Sequence, residues 1–201
     1  MELKESLAAA GLLVLEESGD LSGLVPSLVT GQAPSCPPGD RRTESQVDNE
    51  DPLLHEKANA DWYRLSVEAG LFAEADPRFL VALTPEEDGP SQWIRVELQD
   101  SWDIMGTGAS GLLGSGYCRP EFRMLSLDGS VLTCGTTWES AISTFVLKEP
   151  GNSQVLHKFA EWVATGEIGH PAESAAARRW LDGLWTRGRA AGGRSAGGGG
   201  G

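Results

Sequence analysis

Between residues 79 and 147 several short apolar runs are strand-like, alternating or continuous, and from Val155 onward apolar side chains recur about every 3.6 positions. That change of period constrains the fold more than any other feature, because it orders strands first and helices second. Ile94, Val96 and Leu98 alternate with Arg95, Glu97 and Gln99, the pattern of a half-buried strand. Tyr63, Leu65 and Val67 alternate in the same way and predict another, with Trp62 out of phase and facing outward. The continuous run Phe79-Leu80-Val81-Ala82-Leu83 predicts a strand covered on both faces. Residues 122–127 and 131–134 flank Asp128-Gly129, a hairpin signal of the type I′ kind. Residues 142–147 form a further β-rich run.

Val155, Leu156, Phe159, Trp162 and Val163 lie on one helical face. Asn152 or Ser153 can cap that helix and Gly166 can end it. A second helix starts at Pro171, with Ala176, Trp180 and Leu184 on one stripe and Leu181 and Trp185 beside it. The predicted class is therefore α+β: a mainly antiparallel sheet of about six strands covered by two C-terminal helices. Around the 61–186 domain, residues 1–29 predict a short helix and a short strand, 30–60 a proline-rich and acidic linker, and 187–201 a disordered glycine- and arginine-bearing tail.

Charge and cysteine content narrow the function. Sixteen Lys+Arg against 29 Asp+Glu give a net charge of −13. That balance argues against general nucleic-acid binding, which needs cations for the phosphates, and favours a basic protein partner. No apolar run reaches the ~18 residues of a membrane span, and the first residues, Met1 to Glu5, lack the basic start of a secretory signal. Three scattered cysteines suit a reducing cytoplasm rather than a disulfide scaffold.

The sharpest motif is Gly106-Thr107-Gly108-Ala109-Ser110-Gly111, formally G-x-G-x-x-G. Such glycines let backbone amides approach a pyrophosphate at a helix start. Five glycines between 106 and 116 argue against the helix this requires, so a glycine-rich loop is the plainer expectation. Its apolar pair Leu112-Leu113 suits insertion into a partner, or folds back onto the core. Cys118 beside Arg119 could be a lowered-pKa thiol with His157 as base, although nothing in the sequence brings them together; Cys134 reads as core. His55, His157 and His170 have no zinc-ligand spacing. Asp100 and Asp103 flank Trp102 and could rim a basic partner. Seven tryptophans equal the five Phe and two Tyr combined, which raises interface use beside core use.

These readings assign no catalytic, cofactor or metal residue. They predict a non-catalytic, acidic interaction domain, inhibitor- or immunity-like by analogy of type. The expected contact surface is Trp102, Asp103, Gly108, Leu112, Leu113 and Tyr117. The alternatives are a small-ligand or nucleotide enzyme using the Gly106–Gly116 loop, and an adaptor acting through flexible ends.

Overall fold

The computed structural model describes residues 3–16, 20–37, 41–86, 88–116 and 119–192, with backbone alone over 185–192. Among them seven strands form one antiparallel sheet: β1 (Leu12–Val14), β2 (Arg42–Asp48), β3 (Arg78–Leu83), β4 (Gln92–Leu98), β5 (Phe122–Leu125), β6 (Val131–Thr137) and β7 (Ala141–Lys148). Their order is β1-β4-β3-β5-β6-β7-β2. Helices α1 (Leu3–Ala9), α2 (Leu54–Ala69), α3 (Gln154–Thr165) and α4 (Pro171–Gly192) complete the fold with short 3-10 and π turns. The α+β class and the two C-terminal helices are as the sequence predicts, with one strand more than about six.

Strand alternation sends two sets of side chains to two layers. Phe79, Val81, Val96, Phe122, Met124, Ile142 and Val146 pack with α1 and α2. Leu80, Leu125, Leu132, Cys134, Phe145 and Leu147 pack with α3, α4 and the 3-10 helix Val29–Ser35. The sheet interior is therefore dry on both faces, which explains the unbroken apolar run of β3. Leu7, Ala10 and Leu12 are fully buried in the first layer, and β1 pairs with β4, so the N-terminal segment is part of the same core.

Three expectations need correction. Residues 63–67 are not a strand; they lie within α2. The competing spacing Leu54, Ala58, Trp62, Leu65 is helical, and Gly70 in the left-handed conformation (φ 90°) ends the helix by donating to the Ser66 and Val67 carbonyls. Trp62, expected to face outward, is fully buried. Residues 30–60, expected as a linker, carry the 3-10 helix, β2 and the first part of α2. β2 is an edge strand with one apolar residue, Val47, so its sequence carries no hydrophobic alternation.

Smaller differences have local causes. The 128–129 turn has positive φ only at Gly129 (76°), so it is not type I′. Asp128 Oδ1 instead accepts from the Ser126 hydroxyl, the Ser130 amide and the Ser130 hydroxyl, which fixes the turn. Trp162, expected in the core, is 48% exposed, because α3 buries the narrower stripe Leu156, Ala160 and Val163. α4 starts at Pro171 as expected, and His170 just before it accepts at Nδ1 from the Ala172 amide at 3.1 Å. The 187–201 tail is helical backbone as far as Gly192, and 193–201 lie outside the described residues.

Candidate functional site

The glycine motif folds around a carboxylate. Asp103 caps the π turn Ile104–Gly108. Its Oδ1 accepts from the Gly106 amide (2.9 Å) and from Asn59 Nδ2 (2.7 Å). Its Oδ2 accepts from the Thr107 amide (2.7 Å) and hydroxyl (2.9 Å). Asn59 Oδ1 in turn accepts from the Met105 amide at 2.9 Å, tying the turn to α2. The amides that a phosphate would need thus already face an anion, the chain's own. Burial pushes the Asp103 pKa up, but the donors from Asn59, Thr107 and Gly106 outweigh it and hold the carboxyl below its usual range.

Gly108 and Gly114 permit close packing. A Cβ on Gly108 would lie 2.9 Å from Leu113 Cδ1 and 3.2 Å from Ala10 Cβ. On Gly114 it would lie 1.8 Å from the Ala109 carbonyl oxygen. Gly114→Ala is therefore expected to lower stability by about 2–3 kcal/mol, because backbone cannot yield as a side-chain tip can. Urea denaturation checks this, and a loss under about 0.5 kcal/mol would contradict the packing. Gly108→Val would damage the same packing.

The expected contact residues separate. Leu112 is 41% exposed, whereas Leu113 is 1% exposed and part of the core. Trp102 is half-buried, stacked on Tyr63 (5.5 Å, 15°) and edge-on to Trp62 (5.1 Å). Asp103 and Gly108 are structural, as described. Tyr117 lies outside the described residues, as does Cys118. Among the described members of the six, only Leu112 is an exposed apolar contact.

Leu112 borders a slot in the sheet. β3 and β5 pair only through Leu80↔Leu125 and Val81↔Met124. Beyond that point Leu113 takes the place beside β5, accepting from the Glu121 amide at 2.9 Å. Between the diverging segments lies a cavity of about 320 Å³ lined by Ala82, Thr84, Leu112, Glu121 and Arg123, among others.

From Glu121 a polar row crosses the sheet on the face that α3 and α4 cover elsewhere. Glu121 Oε2 accepts from the Thr136 hydroxyl (3.0 Å). Thr136 stands opposite Ser143, whose hydroxyl donates to Glu44 Oε1 (2.5 Å). Gln46 Nε2 also donates to Glu44 Oε1, and Arg42 Nη2 donates to Glu44 Oε2, each at 2.8 Å. Burial raises the Glu44 pKa, but Ser143, Gln46 and Arg42 together hold it below the usual range. Arg42 is turned inward: its guanidinium lies 4.1 Å over the Phe145 ring, and Nη1 donates to the Pro34 and Cys36 carbonyls. One row further out, Asp48 stands opposite Ala141, and the Trp138 amide donates to the Ala141 carbonyl. Strand alternation puts the Trp138 side chain on this same face, 45% exposed. Glu44, Gln46, Asp48 and Glu121 are exposed as well.

No family model, curated protein or solved structure matches this chain.

His157 and Cys134 have structural surroundings. His157 Nε2 lies 2.6 Å from the Gly151 carbonyl oxygen, and its ring stands edge-on to Trp180 at 5.3 Å. Cys134 is buried, and burial drives its thiol far above the usual range, leaving it un-ionised. Among the described residues no three His, Cys, Asp or Glu side chains could hold a metal ion, and no helix is long and apolar enough to cross a membrane. Sequence reasoning missed Glu44, Gln46, Asp48 and Trp138 as one surface. Their union depends on β2 pairing with β7, which the polar β2 sequence does not announce.

Proposed function

We propose that this chain is a non-catalytic protein-interaction domain that meets a basic partner through the bare part of its sheet face. The observation that carries the reading is Trp138. A large ring held 45% exposed on a rigid hairpin end, beside exposed carboxylates, is the composition of an interface anchor. The hairpin end is fixed by neighbouring chain: the Asn49 amide donates to the Ser140 carbonyl at 2.9 Å, and Asn49 Nδ2 to the Glu139 carbonyl at 3.1 Å. The anchor therefore loses little freedom on binding. The net charge of −13 speeds encounter with a cationic partner and slows it with an anionic one. Leu112, across the slot, extends the apolar contact.

Cross-linking and mass spectrometry in the native host, comparing wild type with Trp138→Ala, Glu44→Lys and Leu112→Asp, tests this. Trp138→Ala is expected to weaken a directly contacting basic partner by about 2 kcal/mol, roughly thirtyfold, without changing the fold. Glu44→Lys is expected to slow association and to flatten its salt dependence. Leu113 is left intact, because an aspartate there would enter the core. Partners bound by all three variants at wild-type strength would overturn the proposal.

A further inference from the structure

The sheet has two edges, and they are unlike. β1 is three residues long; β2 is seven, and pairs on one side only, with β7. In an antiparallel ladder alternate residues direct N–H and C=O to the same neighbour. The Arg41 carbonyl accepts from the Lys148 amide, and the Asn49 amide donates to the Ser140 carbonyl. Odd-numbered residues of β2 thus face β7, and Arg42, Glu44, Gln46 and Asp48 face away. The Asp48 carbonyl is taken by the Asp51 amide at 3.0 Å. The outward N–H and C=O of Glu44 and Gln46 have no partner among the described residues.

Free edges are commonly guarded by lysine, proline or a bulge. β2 reads Arg-Thr-Glu-Ser-Gln-Val-Asp, with neither lysine nor proline, and its arginine is folded inward over Phe145. Of its acidic side chains, Glu44 is ion-paired with Arg42, and Asp48, four residues on along the same face, is exposed with no ion pair among the described residues. A strand laid against this edge would put its own same-face side chains about 4.5–5.5 Å from theirs. Cations at that spacing are accommodated, and carboxylates are repelled. A second copy of this chain brings acidic residues and a net charge of −13 to the same place.

We infer that β2 seats an extended segment of the partner bearing lysine or arginine at alternate positions, added to the sheet as a further strand. The inference rests on the basic-partner reading above, and adds the mode of binding and the chemistry of the segment. Backbone hydrogen bonds to Glu44 and Gln46 give affinity, and the Asp48 carboxylate together with the chain's net charge of −13 selects the cations.

The test uses the full chain and a fluorescent peptide of about nine residues alternating lysine and threonine. Controls are a glutamate-threonine peptide and a lysine-threonine peptide N-methylated at alternate amides. Gln46→Pro removes an outward N–H and no ladder bond, so the edge tolerates it. The expected result is saturable binding of the lysine peptide, with slower hydrogen exchange at the Glu44 and Gln46 amides. Gln46→Pro and N-methylation should each weaken it roughly tenfold or more, and the glutamate peptide should not bind. Should Gln46→Pro not fold, the N-methylated peptide alone decides. Lysine-peptide binding that survives both changes overturns strand addition and leaves the basic-partner reading standing. No saturable binding also overturns strand addition, and the Trp138→Ala and Glu44→Lys comparison then decides the partner reading separately. A dimer that Gln46→Pro dissolves would give the edge to a second copy and overturn the inference.

Discussion

Trp62→Ala is expected to destabilise the protein by about 3–5 kcal/mol, the range for removing a buried aromatic side chain and leaving a cavity. Trp62 is wholly buried between α2 and the sheet. Its ring meets Trp102 at 5.1 Å, Phe72 at 6.0 Å and Phe79 at 6.4 Å. These neighbours come from three separate segments, so no single movement closes the void. Among chains of this size each kcal/mol shifts Tm by about 2–4 °C, which predicts a fall of roughly 10 °C. Trp62→Phe should cost much less. The indole Nε1 is buried with no hydrogen-bond partner in the structure, so the phenyl ring also removes an unsatisfied donor. Urea denaturation of both variants checks the pair of values. A Trp62→Ala loss below about 1 kcal/mol would mean that α2 does not pack on the sheet as described.

Trp62 also marks how far the sequence can be read. Around it two periods compete. Tyr63, Leu65 and Val67 satisfy alternation over a few residues, while Leu54, Ala58, Trp62 and Leu65 satisfy the helical period over a longer span. The longer match prevails because α2 has a whole sheet face to cover, and a local window does not register that demand. β3, β4, β6 and β7 were legible because each carries apolar residues through both layers or alternates cleanly. β2 was not, because water solvates its outer edge and most of its side chains. The site was legible in fragments. The glycine-rich stretch was recognisable as a loop, but Leu112 and Leu113 are chemically identical, and only the fold decides that one is exposed and the other core. The acidic face needed β7 and β2 to pair before Glu44 could reach Ser143.

Asp103→Ala should remove about 2–3 kcal/mol at neutral pH, since it strips four donors of their shared acceptor at once. The Gly106 and Thr107 amides, the Thr107 hydroxyl and Asn59 Nδ2 all lose a charged partner, and those that water cannot reach stay unsatisfied. Asp103→Asn keeps the shape and loses the charge. Its amide nitrogen would confront donors on one side, so an intermediate loss is expected. The pH dependence separates charge from shape. The folded-state pKa of Asp103 is depressed, so its contribution is fully present above the unfolded carboxyl value, about 3.9, and fades as pH falls through the lower folded value. The stability gap between wild type and Asp103→Ala should therefore be constant from pH 7 down to about 5 and shrink below about 4. Glu44 and Asp128, also depressed, acidify in both proteins and cancel in the difference. Because the turn holds Leu112 at the mouth of the slot, the variant should also lose order at residues 106–113, visible as faster amide exchange there while the β6 and β7 amides are unchanged. A gap that persists undiminished at pH 3 would show that the Asp103 side chain stabilises the turn by its packing and not by its charge.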